Sequence, residues 1–80
     1  SHEVTPELGK TIDWIDVSVL RSLKLLSKVA KEGDIDLYQI IENSNKEISE
    51  RHRILLNSFE LLTEEEKNKV FDKIKEIGII

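Results

Sequence analysis

Apolar residues recur along the first third of this chain at helical intervals: Leu8, Ile12, Ile15, Val19, Leu23, Leu26 and Ala30 are spaced by four, three, four, four, three and four. Only a helix brings such a series onto one face. The pattern returns through Leu37, Ile41, Ser44, Ile48, His52, Leu55, Phe59 and Leu62, and more briefly at Val70, Ile74 and Ile77. No run alternates with the period of two that a half-buried strand needs, so the chain is expected to be all-α.

Punctuating residues set the expected helix ends. Thr5 and Pro6 read as a start, with a rival restart near Thr11 because Gly9 weakens continuity. Gly33 reads as the left-handed residue that closes the first helix. Asp36 with Gln39 is a capping-box start for the second helix, and Thr63 with Glu66 is a clearer one for the third. Gly78 is a stop, beyond which Ile79 is expected to fold back toward Ile74. The spacing therefore predicts helices from Pro6 or Thr11 to Glu32, from Asp36 to Leu61 and from Glu64 to Ile77. The second has a suspect point at Asn43, Ser44 and Asn45. Mediocre helix formers meet there, and Ser44 with Glu47 offers another capping box, so one helix or two pieces are both open.

A loop of about three residues at Gly33 favours antiparallel neighbours. The expected architecture is thus a small three-helix bundle built on a long antiparallel hairpin, with a shorter third helix. Ile15, Val19, Leu23, Leu26 and Ile41 are expected in the core, with Ile48, Leu55, Phe59, Val70 and Ile74. Eighty residues make one domain, taken as 6–80 behind a flexible N-terminus or tag remnant at 1–5, where Ser1 and His2 fit either a cleaved tag or a native start after methionine removal.

Length and composition narrow the function classes. A chain this short buries only roughly 60 to 65% of the surface its unfolded form exposes, which leaves little material to wall a catalytic cleft. With no cysteine, disulfides and thiolate metal sites are excluded, and the chain suits a reducing cytoplasm. No stretch is long and apolar enough to span a bilayer, and no secretory signal is present, so the expected location is cytoplasmic with no membrane partner. The net charge of −4 lacks the basic balance of a typical phosphate binder.

The acidic groups Asp34, Asp36 and Glu64 to Glu66 sit at expected helix N-termini, where carboxylates stabilise the helix dipole without doing chemistry. His52, flanked by Arg51 and Arg53, suits a phosphorelay histidine in outline, but a structural histidine at a helix interface accounts for it with fewer assumptions. No second ligand at metal spacing, no phosphate-cradling glycine loop and no nucleophile arrangement accompany it. No catalytic residue, cofactor, metal or small-molecule ligand is therefore expected, and the chain is read as not an enzyme.

The positive signal is a surplus of apolar side chains. Trp14, Leu25 and Val29 fall on a second face of the first helix, and Ile40, Ile54 and Leu61 keep heptad spacing on the second, with Glu47 in the vacant position. These six are the expected interface, for a protein partner or a homodimer, in a non-catalytic interaction or regulatory module. The alternative is a helix-turn-helix-like nucleic-acid binder using Lys46, Arg51 and Arg53, with the turn near Asn43 to Asn45. Against it, the turn lacks glycine, and Lys46 and Arg51 occupy positions where a recognition helix usually needs apolar anchors.

Overall fold

The structure is a computed structural model that describes residues 4–78. The regular elements among those residues are all helical, with no strand. The first helix runs without interruption over residues 4–32, as α1 (Val4–Trp14), a π-helical turn (Ile15–Val19) and α2 (Leu20–Glu32). At 1.5 Å per residue it is roughly 43 Å long, the same as the longest dimension of the molecule, 43 Å. After it come α3 (Leu37–Asn43), α4 (Glu50–Glu60) and α5 (Glu64–Lys75).

The first helix starts earlier than expected and does not restart at Thr11. Val4 and Thr5 are already helical, so Thr5 is not a cap, and its hydroxyl is buried without a hydrogen-bond partner among the described residues. Thr11 instead donates its hydroxyl to the Glu7 carbonyl one turn back at 3.1 Å, a bond compatible with a continuing helix. The π turn lies in Ile15, Asp16, Val17, Ser18 and Val19, where the Leu20 N–H donates to the Ile15 carbonyl. All five are middling helix formers, so little is lost when one turn widens there, and such a turn acts as an inserted residue that rotates α2 against α1.

The helix closes as a Schellman motif, with a correction to the residue responsible. The Ile35 N–H donates to the Ala30 carbonyl at 3.0 Å and the Asp34 N–H to the Lys31 carbonyl at 3.2 Å. Asp34, not Gly33, holds the left-handed conformation at φ 54°, while Gly33 has φ −104°. Aspartate is among the few L-residues that visit this region at modest cost. Glycine serves instead by its lack of a side chain, since a Cβ on Gly33 would lie 3.3 Å from the Ile35 Cδ1 that folds back over it.

The second helix is broken, so the unbroken rod from Asp36 to Leu61 and the long hairpin built on it are not found. Asp36 caps α3, accepting from the Tyr38 N–H at 3.0 Å and the Gln39 N–H at 3.3 Å. Residues 44–49 are irregular. The Ser44 hydroxyl accepts from the Lys46 N–H at 3.0 Å, and Ser49, not Ser44, caps α4 by accepting from the His52 N–H at 3.2 Å. Freed by this break, α4 packs beside α1 while α3 lies beside α2. Thr63 and Glu66 form the expected reciprocal box at the start of α5, and α5 packs on α1. Gly78 is left-handed at φ 76°, and its N–H donates to Asp16 Oδ1 at 3.2 Å. The expected fold-back of Ile79 lies outside the described residues.

The core is small. Among the described residues Ile12, Ala30, Leu62 and Val70 are the buried apolar ones, and Leu8, Ile15, Val19, Leu23, Leu55 and Phe59 are half-buried. Leu26, Ile41, Ile48 and Ile74, expected inside, are about half exposed. Ile41 lies on the short α3 and Ile48 in the irregular stretch 44–49, so neither sits on the continuous helix that the spacing predicts. Leu62→Ala should therefore cost about 2 to 5 kcal/mol in denaturant unfolding. Ile41→Ala, expected from sequence to be a core substitution, should cost less than about 1 kcal/mol.

Candidate interaction surface

The molecule exposes an unusually large surface for its mass. A folded chain of 9.3 kDa exposes about 5,000 Å², whereas this one exposes 6976 Å². Its radius of gyration is 14.7 Å, against about 12 Å for a compact domain of the same length. Both excesses accord with the way α2 extends past the three-helix contact of α1, α4 and α5, with the short α3 alongside it.

An apolar groove of about 420 Å³ opens in that contact. Leu8 and Thr11 of α1 form its floor, Leu55 and Phe59 one wall, and Val70 and Ile74 the other. Its shape follows from how α4 and α5 are held. They are joined by Leu61, Leu62 and Thr63, and the ring of Phe59, near the end of α4, meets that of Phe71, in the second half of α5, edge to face at 5.8 Å. Both helices pack on α1, but their backbones scarcely approach one another, so they diverge toward Ile48 and Ile74.

Electrostatic contacts fix α4 and α5 to α1. Arg51 Nη2 donates to Glu7 Oε2 at 2.7 Å, tying the start of α4. Lys73 Nζ lies 2.9 Å from Asp13 Oδ1, tying the end of α5, and its stem passes over Gly9, where a Cβ would meet Lys73 Cε at 3.5 Å. The hydrogen bond to Asp13 holds the Lys73 ammonium above its ordinary pKa of 10.5.

The six residues expected at an interface are all exposed: Trp14 by 60%, Leu25 by 67%, Val29 by 60%, Ile40 by 52%, Ile54 by 56% and Leu61 by 87%. They do not form one seam. Leu25 and Val29 share the outer face of α2, but the break at 44–49 separates Ile40 on α3 from Ile54 on α4, and Leu61 lies in the turn after α4. Val17, 72% exposed in the π turn, belongs with Trp14 and was missed because the spacing alone put it farther round the helix. The groove was missed too. Its lining reads as ordinary core in sequence, and nothing in the spacing reports that α4 and α5 splay. His52 lies at the groove.

Of the candidate nucleic-acid residues, Lys46 lies in the irregular stretch, Arg51 is paired with Glu7, and Arg53 is paired with Glu50 one turn back. Among the described residues no group of three or more histidine, aspartate or glutamate side chains is arranged to hold a metal, and no helix is long and apolar enough to cross a membrane. No protein-family model, curated protein or solved structure significantly matches the chain.

The Lys73–Asp13 pair sets a pH dependence. Because the folded-state pKa of Lys73 is raised, its contribution is fully present below 10.5 and is lost as pH rises through the higher folded value. Asp13→Asn should therefore flatten the alkaline limb of the stability profile above that pH, measured by denaturant midpoints, and leave the neutral-pH fold helical.

Proposed function

We propose that this chain is a non-catalytic interaction module that works through apolar helical surface, either by self-association or by docking another protein. The observation that supports it best is the surplus of exposed area, about 2,000 Å² over a folded monomer of this mass, with the 420 Å³ groove cut into it. Trp14, Val17, Leu25 and Val29 are each 60% exposed or more along the first helix, and apolar surface gathered on so small a domain usually meets something. The nucleic-acid alternative is weaker, because Arg51 and Arg53 already face carboxylates and would have to exchange them for phosphates.

Two measurements test this reading. An apolar dye such as anilinonaphthalene sulfonate should fluoresce with the dilute, fully helical protein. Leu56→Glu combined with Ile74→Glu, both half-exposed groove positions, should remove that signal without loss of helicity. Duplex DNA should bind weakly if at all. A sub-micromolar affinity that falls steeply with salt would overturn the module reading in favour of phosphate recognition.

A further inference from the structure

Helix α2 is as unusual in charge as in exposure. It carries four basic side chains, Arg21, Lys24, Lys28 and Lys31, and one acidic, Glu32. The segment is thus +3, and the rest of the chain, within a total of −4, is −7. The bases are spaced by three, four and three, so they form one stripe, and Leu25, Leu26 and Val29 form an apolar stripe beside it. That apolar stripe is half or more exposed.

The groove matches this helix in chemistry and size. Leu→Ala in a protein core leaves a cavity of roughly 150 Å³, so a 420 Å³ groove takes about three such side chains, as many as the exposed stripe offers. α2 has 13 residues and the groove walls α4 and α5 have 11 and 12, so the lengths agree. Beside Ile48 the acids Glu47 and Glu50 are offset by Arg53, which pairs with Glu50; where α1 meets α5, Asp13, Asp16 and Glu76 outnumber Lys73, which pairs with Asp13. The helix cannot bend back into its own groove, because it continues α1 in one rod.

We infer that two copies of this chain pair reciprocally, the α2 helix of each seating Leu25, Leu26 and Val29 in the α1/α4/α5 groove of the other. The inference rests on the interaction-module reading and names its partner as a second copy. Each groove becomes the centre of a four-helix assembly, three helices from one copy and α2 from the other. Trp14 and Val17, at the passage from α1 to α2, come to lie under the partner between the two seats. A standard interface removes about 800 Å² from each partner, which the surplus of about 2,000 Å² accommodates.

Sedimentation equilibrium of the full chain from about 0.1 to about 100 micromolar should show a monomer–dimer equilibrium. Emission from Trp14, the one tryptophan of the chain, should shift to the blue with the same midpoint as the indole leaves water. Leu25→Glu with Val29→Glu, and separately Leu56→Glu with Ile74→Glu, should each give a helical monomer. Mixing these two variants should restore a dimer, because one intact α2 then meets one intact groove. Lys24→Glu with Lys28→Glu touches no core residue and should weaken the dimer by at least about tenfold at low salt, so the inference stays testable if an apolar variant unfolds. Dimers that survive the α2 substitutions, or a variant mixture that stays monomeric, would overturn the reciprocal arrangement. A wild-type monomer at every concentration whose groove still binds the dye would overturn self-association and leave the docking reading standing. A monomer without dye binding would overturn both, and native mass spectrometry showing a small apolar molecule retained in the groove would replace the second copy with that ligand.

Discussion

The structure is organised by a helix that outruns its partners. A helix satisfies its own backbone hydrogen bonds wherever it goes, but its apolar side chains need a neighbour at every turn, and most helical stability in proteins comes from that neighbour. Here residues 4–32 form one rod, while the helices returning along it have seven, eleven and twelve residues. α4 and α5 both pack on α1, so α2 has the seven-residue α3 beside it. The small core, the large exposed area and the open groove all follow from this mismatch of lengths.

The groove has its own cause within that arrangement. A three-residue connection brings the end of α4 close to the start of α5, and Leu62, buried in the connection, anchors the joint. Phe59 also meets Phe71 of the second half of α5, with the Lys67 ammonium 5.6 Å from the Phe59 ring centre. At the other end Arg51 and Lys73 are drawn to different carboxylates on α1, Glu7 and Asp13. These lie six positions apart, more than one and a half turns, on different sides of the rod. The two helices are therefore joined at one end and held apart at the other, and the space between them stays open.

Local signals in the sequence were read more faithfully than distant ones. The caps at Asp36 and Thr63 depend on residues within one turn, and both appear where the side-chain chemistry placed them; Gly78 is left-handed as expected, but α5 has already ended at Lys75 and not at Ile77. The weak point at Asn43 to Asn45 became a break, but a longer one, because Ser44 closed a turn on Lys46 and left the next cap to Ser49. The left-handed position moved by one residue, from Gly33 to Asp34, since the glycine was needed for space and not for its backbone freedom. The π turn has no comparable signature, being five residues without a strong preference. Core membership of Leu26, Ile41, Ile48 and Ile74 failed for a different reason. Periodicity identifies the apolar face of a helix, but not whether anything covers it.

Charge distribution explains why the exposed face of α2 should meet the groove and not another α2. Two α2 helices laid together would bring two +3 segments within about 10 Å, comparable to the Debye length near physiological salt, where repulsion is only partly screened. An α2 helix approaching the rest of a second chain, which carries −7 outside its own α2, meets the opposite net sign, which speeds productive encounter and disfavours the symmetric alternative. The apolar contact itself would be similar in either pairing, because leucine and valine do not distinguish one apolar surface from another. Discrimination therefore falls to the lysines and arginine beside them, and the segregation of basic residues onto one helix of an acidic chain acts against the like-with-like contact.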